Sequence, residues 1–507
     1  MTCLIGIDIG TSGAKTALFD ETGKLLASYT GEYPLYQPQN GYAEQDPADW
    51  WEATVDGIRT VLEKSGVSAS DVKGIGLSGQ MHGLVMLDSE CEVLRRSIIW
   101  CDQRTATECE EITTRVGARR LMDITMSPAL TGFTASKILW VRNHEPEIYA
   151  KCRHILLPKD YIRHRLTGEF ATEVSDASGM QLLDIAGRQW SDEVLSALDI
   201  DRSLLAEVHE SPAVTGVVSS QAAALTGLAA GTPVVGGAGD CAAGAVGAGV
   251  VRDGQASASI GTSGVVFAHT SRLSPDHAGR VHTFCTAVPG AWHVMGVTQG
   301  AGLSLKWFRD NFCISEKETA AMMGVDPYYL MDKAAENISI GADRLLYLPY
   351  LMGERTPHLD PNARGLFFGL SAIHTRAHLL RAVMEGVIYS LRDCLSVFEE
   401  NGIRLDSIMA CGGGGVSSLW RQMLADVFDC PVRTAVSAEG GALGAAILAG
   451  VGVGVYASVE QGCDAVIRIR SEQTPIPQNT ALYQPYYRLY SSLYEKIQDD
   501  CAVLASL

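Results

Sequence analysis

The sequence predicts an α/β protein built as two lobes of similar architecture, and three observations carry that expectation. A chain of 507 residues is too long for one hydrophobic core, since single cores stop growing near about 250–300 residues. The pentapeptide Ile9-Gly10-Thr11-Ser12-Gly13 recurs residue for residue as Ile260-Gly261-Thr262-Ser263-Gly264, close to half the chain later. Each copy follows one strand-like segment and precedes another. The expected division lies near residue 250, with one lobe over 1–250 and the other over 251–507. No Pro/Ser-rich linker marks that point, so the lobes are expected to pack closely.

The elements follow in order. Residues 3–9 (CLIGIDI) form a β-branched run ending at Gly10, which reads as a buried strand. Residues 15–19 and 24–29 flank Asp20-Glu21-Thr22-Gly23 and read as a hairpin. An amphipathic helix is expected over 47–64 and another strand over 72–78. In the second half, Leu380, Val383, Val387, Leu391, Cys394 and Phe398 make one apolar stripe at helical spacing, so 378–400 reads as a long core-facing helix. Tyr486, Tyr490 and Tyr494 are spaced as one aromatic helix face after Pro485.

Composition narrows the function. Apolar residues make up 47% and charged residues 19%, an ordinary globular balance that excludes disordered and fibrous classes. Forty Lys and Arg against 58 Asp and Glu give a net charge of −18, a poor match for nucleic acid or an anionic membrane as the main partner. The thirteen cysteines are odd in number and never form a C-x-x-C pair, which fits reduced thiols better than disulfides or a zinc site. The N-terminus enters Ile5-Gly6-Ile7-Asp8 without a basic leader, and no stretch reaches about 18 strongly apolar residues. A cytoplasmic location is expected. Glycine is the outlier at 52 residues, roughly 10% against a usual value of about 7%.

Much of that glycine falls where chemistry is expected. In both Ile-Gly-Thr-Ser-Gly loops, Gly10 and Gly261 let backbone N–H groups converge. Thr11, Ser12, Thr262 and Ser263 add hydroxyls, a donor set that suits phosphate oxygens. Tight β-turns would want the same glycines; an identical pair, one per lobe, favours phosphate. Gly10–Thr16 is not a P-loop, because no glycine directly precedes Lys15. Asp8 closes the strand before the first loop. Mg²⁺ beside a triphosphate is one natural partner for its carboxylate, and the backbone donors of the turn are the other.

Asp240 is the only charged residue between Glu210 and Arg252. It ends a strand and a glycine turn, Val234-Val235-Gly236-Gly237-Ala238-Gly239, and opens a small-residue helix. That position suits a helix N-cap and equally a general base facing a cleft. Gln80-Met81-His82-Gly83 follows the 72–78 strand, and spacing alone makes His82 a surface-loop histidine. Trp100-Cys101-Asp102-Gln103-Arg104 packs an aromatic, an acid and a base together with little specificity. Gly412-Gly413-Gly414-Gly415 follows strand-like 407–410 and opens a helix through Trp420; Glu439–Gly444 opens another. Such glycines admit either a flat ligand or close helix packing.

Taken together, these features resemble the FGGY carbohydrate kinases. The residues that carry the resemblance are Asp8 with its loop, the second loop, Gly239-Asp240 and Gly412–Gly415. Two longer stretches, Gly132–His144 and Gly365–Leu370 continuing through His378 to Glu385, are similar to the family signatures. The resemblance spans the chain and implies the two-lobed, actin-like (ribonuclease-H-like) ATPase fold with its site in the interlobe cleft. Glu44–Pro47 with Trp50-Trp51, Gln80–Gly83, Leu157–Tyr161, Ser175–Gly179 and Gly353–His358 are most similar to the ketopentose-phosphorylating members. That implies ATP-dependent phosphorylation of D-xylulose at its 5-hydroxyl, with Asp240 as general base and Gln80, Met81, His82, Asp240 and Cys241 at the sugar. It further implies Mg²⁺ near Asp8, phosphates near Gly10, Thr11, Ser12, Gly261, Thr262 and Ser263, and nucleotide near Gly412–Gly415 and Ser417. Many such members carry Asn where this chain has Cys241, which removes a hydroxyl contact and leaves ribulose, L-xylulose or gluconate as alternatives. The expected partners are a small sugar and ATP, and a homodimer is compatible with the sequence. An actin- or Hsp70-like ATPase switch is the rival from another class, but it gives no reason for Asp240 or for Gln80–Gly83.

Overall fold

Strand Cys3–Ile9 is buried at every position except Asp8, which is half-buried. A β-branched run buried on both faces belongs in the middle of a sheet, and a computed structural model describing residues 2–507 puts it there. The strand pairs antiparallel with Gly13–Asp20 and parallel with Val72–Gly79. The sheet runs Val214–Val217, Pro233–Val235, Val72–Gly79, Cys3–Ile9, Gly13–Asp20, Leu25–Glu32, and Ala238–Gly239 adds a third parallel partner to Val72–Gly79. A second sheet runs His282–Cys285, Trp292–Thr298, Gly264–Thr270, Gln255–Ile260, Ser407–Cys411, Val432–Ala435, Ile469–Gln473. Without its outermost strand, His282–Cys285, the second sheet repeats the first in order and in sense, two antiparallel pairs, two parallel pairs, then one antiparallel pair. The repeated pentapeptide is the tight turn of the leading hairpin in each. This is the two-lobed, actin-like fold.

Local chemistry sets the main helices. Helix Pro47–Ser65 starts on Asp46, whose carboxylate accepts the Ala48 N–H at 3.0 Å, and stops at left-handed Gly66. Helix Arg376–Glu400 opens with a Thr375/His378 capping box, and its six-residue apolar stripe is buried throughout. Between the first-sheet strands, residues 81–200 build a core of their own from short helices and two-stranded sheets, which Phe284 and Cys285 of the second sheet also enter.

Helix Gly440–Gly452 lies on the first sheet, although it belongs to the second half of the chain. Gly6 and Gly76 permit this, because a Cβ on either would fall on the carbonyl of Ala442 or Ala445. Helix Asp240–Gly247 packs beside it, and its end reaches Phe267 and Met409 of the second sheet. The two halves therefore exchange helices.

Three local expectations change. The C-terminal tyrosines do not share one helix: Tyr486 and Tyr490 lie on Pro477–Ser491, and Tyr494 begins Tyr494–Ser506 after a break at Ser492-Leu493. Tyr490 and Tyr494 still pack inward, against Tyr389 and Tyr350. Gly413–Val416 forms a 3-10 turn rather than the first turn of a helix, and the helix begins at Ser418 with Ser417 as its cap. Gly444 in the 439–444 run serves helix packing, since its Cβ would strike the Ala243 carbonyl. Among the described residues all cysteines are free, and no helix is long and apolar enough to cross a membrane.

Candidate active site

Parallel pairing of Cys3–Ile9 with Val72–Gly79 sets Asp8 beside Ser78, whose hydroxyl donates to Asp8 Oδ1 at 2.7 Å. Burial raises the Asp8 carboxyl above its usual range, against the pull of Ser78 and Lys15. Lys15 is itself paired with Glu439 at 2.6 Å, at the start of the helix exchanged from the second half. Asp8 Oδ2 receives no hydrogen bond among the described residues and faces Gly441, where a Cβ would come within 2.9 Å. An open carboxylate oxygen over a glycine fits a hydrated Mg²⁺, which keeps waters and phosphate oxygens and needs only one or two carboxylates. No group of three or more acidic, His or Cys side chains suited to a metal occurs among the described residues.

Distant side chains brace the first loop. Gln45 Nε2 donates to the Thr11 carbonyl at 2.7 Å, and Trp100 Nε1 donates to Thr11 Oγ1 at 2.9 Å. Tyr33 donates to the Gly10 carbonyl. Gln80, expected at the sugar, is fully buried and braces this loop with its amide, donating to Gln45 Oε1 at 2.7 Å and accepting from Thr11 Oγ1 at 3.5 Å. Ser12 stands exposed at the tip.

Beyond Gln80 the chain turns sharply. His82 sits at φ +72° and is no surface-loop residue. Its carbonyl accepts from Lys137 Nζ at 2.8 Å and Thr134 Oγ1 at 3.1 Å, and its ring meets Phe133 edge-on at 4.9 Å. Burial drives its pKa well below the usual value, so the ring is neutral. Nδ1 faces the Gly179 carbonyl at 3.0 Å. A carbonyl only accepts, so Nδ1 carries the proton and Nε2 is left as a bare acceptor. Gly179 is required here, because a Cβ would overlap the imidazole. Met81 is buried, and its Cγ lies 2.8 Å from where a Cβ on Gly239 would stand. The Gln80–Gly83 loop and the Asp240 turn are thus in contact.

Asp240 is the first residue of its helix, with Gly239 in the cap position. It is half-buried, and its Oδ1 accepts the Cys241 N–H at 2.8 Å. Removal from water, followed by the charge of nearby Asp8, raises its carboxyl to about 7. Cys241 is half-buried beside it, its thiol raised well above the usual value by burial and then by Asp240. Two carboxylates near one another at the ends of parallel strands, one of them poised near neutrality, can bind a cation and accept a proton.

The second loop is open. Gly261 and Thr262 line a cavity of about 640 Å³ with Lys306, Tyr329, Asp332, Gly413, Gly414 and Ser417. Ser417 Oγ accepts the Trp420 N–H at 3.1 Å and so caps the helix below. Helix Ala301–Phe312 starts on the loop, with Gly302 and Leu303 N–H groups donating to the Gly261 and Thr262 carbonyls. Ser263 is half-buried behind the rim. Gly412 bends the chain at φ +73°, and Gly415 is buried beneath the wall.

Four residues of this constellation went unread in the sequence as site residues. Gln45, Ser78, Trp100 and Lys137 act through partners tens of residues away. The only signal for Lys137 was its place in the Gly132–His144 signature. It is fully buried, pushed down to about 7 by burial, and among the described residues donates only to the carbonyls of His82 and Gly132.

The comparisons agree along the whole chain. Residues 3–247 match the N-terminal domain, and residues 256–453 the C-terminal domain, of the FGGY family of carbohydrate kinases. The chain is 41% identical to a xylulose kinase of Bacillus subtilis (strain 168), with 98% of each chain covered. It is 40% identical to a xylulose kinase of Escherichia coli (strain K12), covering 97% of this chain and 99% of that one. A solved ligand-bound xylulose kinase from Lactobacillus acidophilus superposes with a TM-score of 0.92 at 27% identity, covering 99% and 100% of the two chains. With both domains matched and full-length relatives at this identity, the chain belongs to the FGGY family of carbohydrate kinases.

Proposed function

We propose that the chain transfers the γ-phosphoryl group of ATP to the 5-hydroxyl of D-xylulose, with Asp240 as the general base. The observation that carries this reading is the half-buried Asp240 carboxyl, raised to about 7 beside Asp8 and in contact range of the Met81 segment. The substrate follows the relatives, which are xylulose kinases over nearly their full length. Residues 1–250 supply the sugar pocket and first phosphate loop, and residues 251–507 supply the nucleotide pocket.

The hydroxyl oxygen attacks the γ-phosphorus as its proton passes to an Asp240 carboxylate oxygen. The new O–P bond forms as the bond to the β-phosphate oxygen breaks, and ADP leaves. Little covalent work falls to the protein, so positioning and charge stabilisation supply most of the catalysis. Met81 and the bare Nε2 of His82 hold the sugar, and Cys241 closes the pocket beside the base. Gly10, Thr11 and Ser12 face the phosphates from one lobe, and Gly261, Thr262 and Ser263 from the other. Gly412, Gly413, Gly414, Gly415 and Ser417 shape the nucleotide pocket. Asp8 would hold Mg²⁺ through Oδ2; the ion supplies charge neutralisation at the phosphates.

Replacing Asp240 with Asn is expected to lower kcat by about 10²–10⁴, the usual general-base contribution, while sugar still binds; near-normal turnover sinks the assignment. A coupled ADP assay over ketopentoses, polyols and gluconate tests the substrate, with D-xylulose expected to give the highest kcat/KM.

A further inference from the structure

Apart from the Gly179 carbonyl that fixes the His82 tautomer, two sequence motifs have no part in the chemistry above, Leu157–Tyr161 and Ser175–Gly179, and the fold brings them together beneath the Gln80–His82 segment. Lys159 is fully buried, its Nζ 2.7 Å from Asp160 Oδ1 and 3.4 Å from both Glu173 Oε1 and Asp176 Oδ2. Arg163 joins at 2.9 Å from Asp160. Desolvating so many charges is expensive, and such clusters are poor sources of net stability. Their geometry shows another use.

Glu173 accepts four hydrogen bonds, from Ser175 N at 2.8 Å, Asp176 N at 2.8 Å, Ser175 Oγ at 2.9 Å and Ser211 Oγ at 2.6 Å. Because the Ser175 hydroxyl proton is committed to Glu173, its lone pairs are free to accept, and they take the Gly239 N–H at 3.1 Å. Gly239 is the residue before Asp240. At the other end of the same turn, Arg163 Nη1 donates to the Gly236 carbonyl at 2.9 Å. Lys159 Cβ also lies 3.1 Å from where a Cβ on Gly79 would stand, under the start of Gln80–His82. One buried cluster thus anchors the segments that carry His82, Gly179 and Asp240.

We infer that Ser175 is a positioning residue for Asp240, fixed by Glu173 and the Lys159 cluster so that the Gly236–Gly239 turn aims the carboxylate. The inference rests on Asp240 acting as the base. The test compares Ser175→Ala with Ser211→Ala in the full-length enzyme. Each removes one hydroxyl donor from Glu173, but only the first leaves the Gly239 N–H without its acceptor. Similar losses of Tm are expected in both. For Ser175→Ala, kcat should fall roughly 10–100-fold, the scale on which small misplacements of a catalytic group act, with the KM for ATP within twofold. Ser211→Ala should keep kcat within twofold. Should Ser175→Ala fail to fold, Ser175→Cys, close in size but a weak acceptor, is expected to show the same ordering. Equal kcat in the Ser175 and Ser211 variants overturns the inference, as does a Ser175 variant that alters only KM. If those two variants match while Asp240→Asn is inactive, only the positioning role falls; if Asp240→Asn turns over normally, the reading of the base falls instead.

Discussion

The two Ile-Gly-Thr-Ser-Gly loops have the same sequence and the same place in their sheets, yet the protein treats them differently. In each, the first glycine N–H is closed by a carbonyl at the far side of the turn, Gly13 in one and Ser263 in the other. The residue before the first loop is Asp8, and its counterpart before the second is Ser259. The first loop is clamped by Gln45, Gln80, Trp100 and Tyr33. The second lines an open cavity of about 640 Å³. One copy of the turn holds the charge and the rigidity, and the other borders open space. The backbone supplies the same tight turn twice; the flanking side chains set how each turn is held.

The difference predicts an asymmetry under matched substitutions. Asp8→Asn should raise the Mg²⁺ concentration needed for half-maximal activity by at least the roughly 10–100-fold that losing a mere outer-shell metal partner costs. Ser259→Ala, at the equivalent position, should leave it within twofold. Equal effects in a Mg²⁺ titration would show that the two loops share the metal.

The same carboxylate sharpens the comparison through pH. Asp240 accepts a proton only when ionised, and its carboxyl stands at about 7. On the acid side, kcat/KM for the sugar, which reports the free enzyme, should therefore fall tenfold per pH unit below about 7. Asp8 is the second cause of that raised value, so in Asp8→Asn the acid limb should move to lower pH. In Ser259→Ala it should stay in place. A limb that does not move in Asp8→Asn assigns it to another group.

A third test concerns the exchanged helices. Gly76 meets helix Gly440–Gly452 backbone to backbone, whereas the second sheet meets helix Asp240–Gly247 through the side chains of Phe267 and Met409. Gly76→Ala forces a Cβ onto the Ala445 carbonyl and should cost about 1–3 kcal/mol or more, as overpacking does. Ser257→Ala, on the strand of the second sheet that corresponds to Cys3–Ile9, should stay within about 0.5 kcal/mol. Urea unfolding reads both; an unchanged Gly76→Ala midpoint would remove close approach as the reason for that glycine.

How much of this was legible follows from range. The loops, Asp8 and the Asp240 turn are local, because each is a strand end, a glycine turn and a polar residue within a few positions, and sequence carries such patterns directly. The repeat showed two similar lobes for the same reason. What escaped is held together at a distance: Trp100 on Thr11, Gln45 on Gln80, Ser175 on Gly239, helix Gly440–Gly452 on Gly6 and Gly76. No periodicity links residues 64 or 89 positions apart. The brace that Gln80 makes on the first loop was not legible, because an amide in a polar loop looks the same whether it faces a ligand or braces a neighbour. The C-terminal tyrosines were joined into one helix because spacing of four continues across a break that no proline or glycine marks.

The smallest expected effect isolates the clamp itself. Trp100 is about half exposed, at 47%, so its indole is not there to fill the core. Its one hydrogen bond goes to Thr11 Oγ1, while the Thr262 hydroxyl of the open loop has no side-chain partner among the described residues. Trp100→Phe keeps a smaller aromatic ring and removes the N–H, making the first loop resemble the second in its lack of this bond. A hydrogen bond of this kind is worth about 0.5–1.5 kcal/mol net, so the KM for ATP should rise about two- to tenfold with kcat little changed. A double-mutant cycle with Thr11→Ala should then return a coupling of the same size, since the two groups are in direct contact. Additive effects would mean that Trp100 acts on the cleft through its ring and not through Thr11, and the rigidity of the first loop would have to rest on Gln45, Gln80 and Tyr33.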